Sequence, residues 1–219
     1  MTTGIDDREI IQAKTPDEEL KNYAVDDPYM RWIEREGPRL IVDFAFEDLN
    51  SVELTPWESR GGSGAIINIP NRLIPNDAQV VEIKPGAKSE PVHHMYEAMF
   101  YVLSGRGATS IWIDEDKKKT FEWHQGSLFS VPLNASYQHF NASGTEPARY
   151  VAVTSAQPMM RLFRDDDFMF NLPYVFSGRY SGQEDFFSGN GKLYNGRIWE
   201  SNFIPNAATM PLYGWASRG

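Results

Sequence analysis

The sequence predicts an all-β protein, an antiparallel β-barrel behind a short helical extension. Three observations carry this. From about Leu40 onward, short apolar runs are broken repeatedly by Gly, Pro and Asn, the signature of many short strands. The middle of the chain offers no helical segments to alternate with those runs, which argues against an α/β layout. The length, 219 residues, suits one domain with a sizeable core and flanking extensions.

The extension comes first. Thr15-Pro16-Asp17-Glu18 forms a capping box with proline at the first helical position. Asp27-Pro28 predicts the start of a second short helix, and Gly37 its end. Residues 1–37 are thus expected to be helical and to cover a barrel edge or a neighbouring subunit. Strands are expected at about 39–44, 64–69, 78–83, 99–103, 108–113, 127–131 and 150–154, within a barrel spanning 38–158. Beyond Pro158 the chain is rich in Phe, Tyr, Gly and Asn with little periodicity, so 159–219 reads as an aromatic-rich C-terminal extension. Asp165-Asp166-Asp167 reads as a solvated turn, because three consecutive carboxylates diverge.

Charge and composition narrow the function. The net charge is −9, and the one basic triplet, Lys117-Lys118-Lys119, follows Asp114-Glu115-Asp116 as at a hairpin tip. No nucleic-acid partner is expected, since phosphate binding needs a basic face. No apolar run approaches the roughly 18 residues that span a bilayer. The first residues lack the basic start and apolar stretch of a signal peptide. No membrane partner is expected, and the expected location is cytoplasmic. There is no cysteine, so a metal would need His, Asp, Glu or Tyr, and the four histidines are His93, His94, His124 and His139.

Two segments carry the chemistry. One runs from Pro85 through Gly86, Val92-His93-His94, Glu97-Ala98 and Phe100 to Gly105. The other runs from Gly126 through Pro132, Asn134 and Tyr137-Gln138-His139 to Asn141. Together they resemble the two signature motifs of the cupin superfamily over roughly residues 78–156, with Gly86, Gly105, Gly126, Pro132 and Asn141 in register. The resemblance implies a jelly-roll barrel. It also implies inward-facing ligands, two imidazoles on one strand with a carboxylate and a third imidazole beside them, a set that suits a transition metal.

The register here departs from that set. Counting from Gly86 puts the first two ligand positions at Val92 and His94. Counting back from Gly105 puts the carboxylate at Ala98, and the third imidazole position falls on Tyr137. His93 and Glu97 are each one residue out of step, and one residue on a strand turns a side chain to the opposite face. His139, two beyond Tyr137, is expected to share its face. The expected interior site therefore holds His94, Tyr137 and His139 as acid–base candidates. Val92, Ala98, Phe100 and Asn141 are expected to line an apolar cavity for a small molecule. No tightly bound cofactor is expected; a weakly held divalent transition metal on His94, His139 and Glu97 is the alternative.

The resemblance leaves several functions open: the metal-free half of a bicupin oxidoreductase similar to ring-cleaving dioxygenases of the gentisate type, a metal-independent lyase or isomerase, or a non-enzymatic ligand-binding cupin. One recurrence bears on the first. Leu54, Trp57, Ser59, Arg60 and Gly61 reappear in order and spacing as Leu212, Trp215, Ser217, Arg218 and Gly219. A homo-oligomer, or a second cupin subunit or domain, is the expected partner, with Tyr194, Trp199, Phe203, Tyr213 and Trp215 docking on it.

Overall fold

The structure is a computed structural model and describes residues 27–70, 76–194 and 198–210. The capping box at 15–18 and the recurrence at 212–219 lie outside the described residues. Helix α1 (Pro28–Glu36) begins where the Asp27 carboxylate accepts the Tyr29 N–H at 3.1 Å. It ends at Gly37, whose φ of 91° lets its N–H reach the Ile33 carbonyl. Tyr29, Trp32 and Ile33 form its buried face.

Ten strands follow: β1 (Arg39–Val42), β2 (Thr55–Trp57), β3 (Gly62–Asn68), β4 (Asp77–Ile83), β5 (Ala98–Ser104), β6 (Arg106–Trp112), β7 (Lys119–His124), β8 (Leu128–Val131), β9 (Ser136–Asn141) and β10 (Ala148–Thr154). Then come helices α2 (Ala156–Phe163) and α3 (Asp166–Phe170) and short strands β11 (Lys192–Tyr194), β12 (Ile198–Glu200) and β13 (Phe203–Ile204). An eight-stranded sheet runs β1-β3-β4-β10-β5-β8-β13 with β2 added on β3, and a three-stranded sheet runs β7-β6-β9. This is a jelly-roll-like arrangement, although among the described residues the two ladders do not merge into one closed barrel.

Strand alternation sorts the side chains. Val81, Ile83, Phe100, Val102, Tyr150 and Ala152 point inward and join Ile111 and Tyr137 from the small sheet. Their neighbours Ala65, Ile67, Val80 and Val151 form a second cluster on the other face, against Phe46, Leu49, Val52 and Leu54. One expectation is corrected here. The large sheet is not antiparallel throughout, because β1 runs parallel to β3, Arg39 opposite Ala65. A parallel pair needs a crossover. Residues 43–61 supply it, and their apolar side chains cover that face.

The end of the chain is more structured than the aromatic-rich sequence suggests. Helix α2 starts before residue 158, so the expected boundary falls inside it. Asp165 caps α3 by accepting the Phe168 N–H at 2.8 Å, Asp166 pairs with Arg35, and Asp167 accepts from the Asn171 amide. The triplet is therefore a helix start rather than a solvated turn. Part of the tail folds back on its own sheet: β13 pairs with β8, Phe203 opposite Phe129, and Phe187 stacks on Phe121 at 4.2 Å. Phe203 is thus buried within its own chain rather than left for a partner, whereas Leu193 and Tyr194 stay exposed. Phe203→Ala is expected to cost about 3 kcal/mol, read from the urea midpoint. A change within experimental error would show that β13 contributes nothing to the barrel.

Candidate functional site

The turn Glu58–Arg60 delivers the least expected residue of the interior. Arg60 is buried, only 5% exposed. It is carried there by Trp57, which is fully buried, and by Glu36 at the end of α1, whose carboxylate accepts from Trp57 Nε1 at 2.9 Å and Ser59 Oγ at 2.7 Å. Gly61 follows with φ 80°, and a Cβ there would sit 2.4 Å from the Lys88 carbonyl oxygen. Only glycine lets the chain turn this close to the neighbouring backbone. The Arg60 guanidinium lies 5.2 Å from the Trp57 ring, and it lines one crevice with Tyr96 and Tyr137, whose phenols feel its charge. Its Nε has no partner.

A chain of hydrogen bonds continues inward. His94 Nδ1 lies 2.9 Å from the Tyr96 carbonyl. A carbonyl only accepts, so Nδ1 carries the proton. Neutral His94 then accepts at Nε2 from the Tyr137 hydroxyl, at 2.9 Å. The order is Tyr137 to His94 to the Tyr96 carbonyl, with the His94 and Tyr96 rings stacked at 3.6 Å.

His139 is held differently. Trp123 Nε1 donates to Thr109 Oγ1 at 2.9 Å, and that hydroxyl lies 2.7 Å from His139 Nδ1. With the indole N–H on one lone pair, the hydroxyl still has a proton and a second lone pair to offer Nδ1, and Nε2 is the ring nitrogen turned toward the aromatic core. That nitrogen has no hydrogen bond, and the ring sits among Phe100, Tyr137 and Tyr150 at 5.0, 5.1 and 5.1 Å.

These positions revise the sequence expectations. His94, Tyr137, Ala98 and Phe100 line one interior crevice with Arg60, Gln79, Tyr96, Tyr150, Ala152 and Thr154, and the crevice leaves no space for even a water molecule. The expected apolar cavity is filled by aromatic rings and is substantially polar. His139 shares the face of Tyr137 but does not line the crevice. Val92 lines an outer cleft instead. Asn141 is not a lining residue: its Nδ2 donates to the carbonyls of Ile83, Lys84 and Glu146, and its Oδ1 accepts from Ser143. Glu97 points outward and pairs with Arg179, as strand alternation requires, so it cannot join His94 and His139 on a metal. His93 also faces away from the crevice, its Nδ1 3.0 Å from Asn134 Oδ1. Asn134 adopts φ 57° at the turn, a conformation asparagine tolerates.

Among the described residues one open space is an outer cleft of about 520 Å³ between α1, the 58–60 turn, residues 90–93 and α3; another, of about 400 Å³, lies in the tail among residues 178–202. Arg60 lines both the cleft and the crevice. Sequence reasoning missed Arg60 because it lies 34 residues before His94, outside both motifs. Its recurrence beside Trp and Gly was the available signal. Asp77 was missed as well: it is buried at the start of β4 and accepts from Tyr29 at 2.7 Å and from Thr154.

Electrostatics follow from burial. Desolvation pushes His94 and His139 down to about 3, with the Arg60 charge adding to the effect. Desolvation raises the Tyr137 phenol, against the opposing pull of Arg60. The Asp77 carboxyl is raised by burial, in spite of the hydrogen bonds it accepts. Burial opposes the Arg60 charge, but the oxygens of Tyr137, Tyr96, Tyr150 and Glu36 outweigh it and keep the group protonated.

The donor set does not fit a resident transition metal. Both His94 nitrogens are engaged, and Val92, Ala98 and Tyr137 stand where the family places ligands. Among the described residues no three His, Asp or Glu side chains converge.

Residues 79–154 match the family model Cupin_2, Cupin domain. This part of the chain is a cupin domain. Solved structures similar to it include vicilin from Corylus avellana, at 18% identity, covering 44% of this chain and 29% of that one, with a TM-score of 0.40. The Schizosaccharomyces pombe Cnp3 cupin domain is 20% identical, covering 53% and 77%, at 0.42. The Bacillus subtilis oxalate decarboxylase, a protein with Mn(II) centres, is 18% identical, covering 51% and 30%, at 0.40. The chain thus spans less than a third of the vicilin and the decarboxylase. No curated protein matches it. Among the described residues no helix is long and apolar enough to cross a membrane.

Two buried neutral histidines give the cupin domain a pH signature. Their folded pKa of about 3 lies below the unfolded value near 6.5. The unfolded chain therefore binds protons first as pH falls. The contribution is complete above about pH 6.5 and is lost between there and about 3, at up to roughly 1.4 kcal/mol per pH unit for each histidine. Urea melts from pH 7.5 to 4.5 are expected to show this slope, and His94→Gln to flatten it by one histidine's share. An unchanged slope would mean that His94 titrates alike in both states.

Proposed function

We propose that this cupin domain binds a small organic molecule without a resident metal, and that the ligand enters by the outer cleft and is read by Arg60 and the Tyr137–His94 pair. The observation that carries the reading is the position of Arg60, a buried cation with an unpartnered Nε that lines both cleft and crevice. Small-molecule sites combine apolar walls with a few placed polar groups. Trp32, Pro91, Val92 and Phe170 supply such walls here.

A second reading rests on the Tyr137 hydroxyl, which sits between a guanidinium and a neutral imidazole. Such a phenol suits proton transfer in a metal-independent lyase or isomerase, with Arg60 steadying negative charge on the oxygen. The Trp57-Ser59-Arg60-Gly61 recurrence further supports a bicupin-type assembly, this domain being its metal-free half and a second cupin domain or subunit its partner. Exposed Leu193 and Tyr194 are compatible with a homo-oligomer or such a partner.

The test has two arms. Elemental analysis of the purified protein is expected to show no stoichiometric transition metal; about one Mn, Fe, Ni or Zn per chain, lost in His94→Ala, would overturn the metal-free reading. A thermal-shift screen of small acids, amides and sugars is expected to yield ligands whose effect disappears in Val92→Trp, which fills the cleft. Stabilisation unchanged in that variant would place the ligand elsewhere.

A further inference from the structure

We propose that Arg60 anchors a site for a monocarboxylate with a compact apolar body, its carboxylate on the guanidinium and its hydrocarbon against Trp32, Pro91, Val92 and Phe170. This rests on the reading of the cleft as the ligand's entrance and names the class of ligand.

A guanidinium enclosed by protein is ordinarily paired with a carboxylate. Among the described residues Arg60 makes no ion pair, and its Nε is buried without an acceptor. Tyr96 and Tyr137, which share its crevice, offer neutral phenols and no charge. Glu36, the carboxylate that acts on Arg60, is already held by Trp57 and Ser59 on its own side of the cleft. A carboxylate docking side-on uses Nε together with one terminal nitrogen, two parallel bonds that match the guanidinium plane. It would supply the acceptor that the free protein lacks.

The remaining cleft charges limit the ligand's charge. Arg35 is paired with Asp166, and Glu36 and Glu90 also line the wall with His93. Two arginines thus face three carboxylates, which tolerates one added negative charge far better than two. That favours a monocarboxylate over a phosphate monoester or a dicarboxylate. The aromatic wall is fixed in place, since Trp32 and Phe170 stack at 6.5 Å with an interplanar angle of 17°.

The experiment compares 4-methylpentanoate with 4-methylpentanamide, which differ little in shape and fully in charge, by ligand-observed NMR titration on the intact protein. The acid is expected to bind at least tenfold more tightly than the amide. Arg60→Met should remove that preference, and Arg60→Lys, which keeps the charge but not the fork, should retain only part of it. Equal binding of acid and amide, or full acid binding in Arg60→Met, would overturn the proposal. So would binding of neither probe. If Arg60→Met does not fold, the acid-to-amide ratio on the unsubstituted protein decides. Failure of this proposal is distinguishable from failure of the cleft reading: a ligand of another class that is lost in Val92→Trp would sink the carboxylate and leave the entrance intact.

Discussion

A cation enclosed by a β-barrel has to find oxygen acceptors, and much of this domain's interior is arranged by that requirement. Arg60 shares its crevice with Tyr96, Tyr137 and Tyr150, and its charge acts on all three phenols. The Tyr96 carbonyl fixes the tautomer of His94, whose other nitrogen meets the Tyr137 hydroxyl, and His94 lies flat on Tyr96. On the other side, Glu36 reaches Trp57 and Ser59 and so binds helix α1 to the turn that carries Arg60. Replacing one member would leave another polar group buried without its partner, an outcome costlier than the loss of an ordinary surface contact.

The same arrangement explains why histidines inside a cupin barrel need not signal a metal. An imidazole can bind a cation only through a free lone pair. His94 gives its lone pair to a phenol, and His139 gives Nδ1 to Thr109. Low dielectric surroundings and a nearby guanidinium keep both rings neutral. They serve as fixed dipoles within the wall, and the positive charge of the site resides on arginine.

What could be read from sequence was what depends on local pattern. Asp27-Pro28 and Gly37 mark α1 because capping is a matter of a few adjacent residues. Counting from the motif glycines separated His94 and Tyr137 from His93 and Glu97, although His93, His94 and Glu97 lie between β4 and β5 rather than in a regular strand. The positive φ values at Gly86, Gly105 and Gly126 are the backbone reason for the motif glycines. Asn141 was placed on the correct strand but given the wrong task, because no local pattern shows that three carbonyls from distant turns meet on its amide. Arg60 and Asp77 were invisible for a related reason: only the pairing of β3 with β4 and the packing of α1 bring them inside. The short pairing of β13 with β8 likewise depends on an open sheet edge that sequence does not display.

The position of β10 has a consequence for how the domain comes into being. This strand lies between β4 and β5, matching Ala148 with Ile83 and Thr154 with Ala98. Its partners precede it by dozens of residues, so the large sheet stays in two pieces until the chain has been made as far as Thr154. Such distant pairing is paid for in loop-closure entropy before it yields contacts, and it slows folding. On the ribosome, the β1-β3-β4 piece and the β5-β8 piece would each carry an unpaired edge while waiting. Insertion of β10 is then the step that joins them and encloses the arginine.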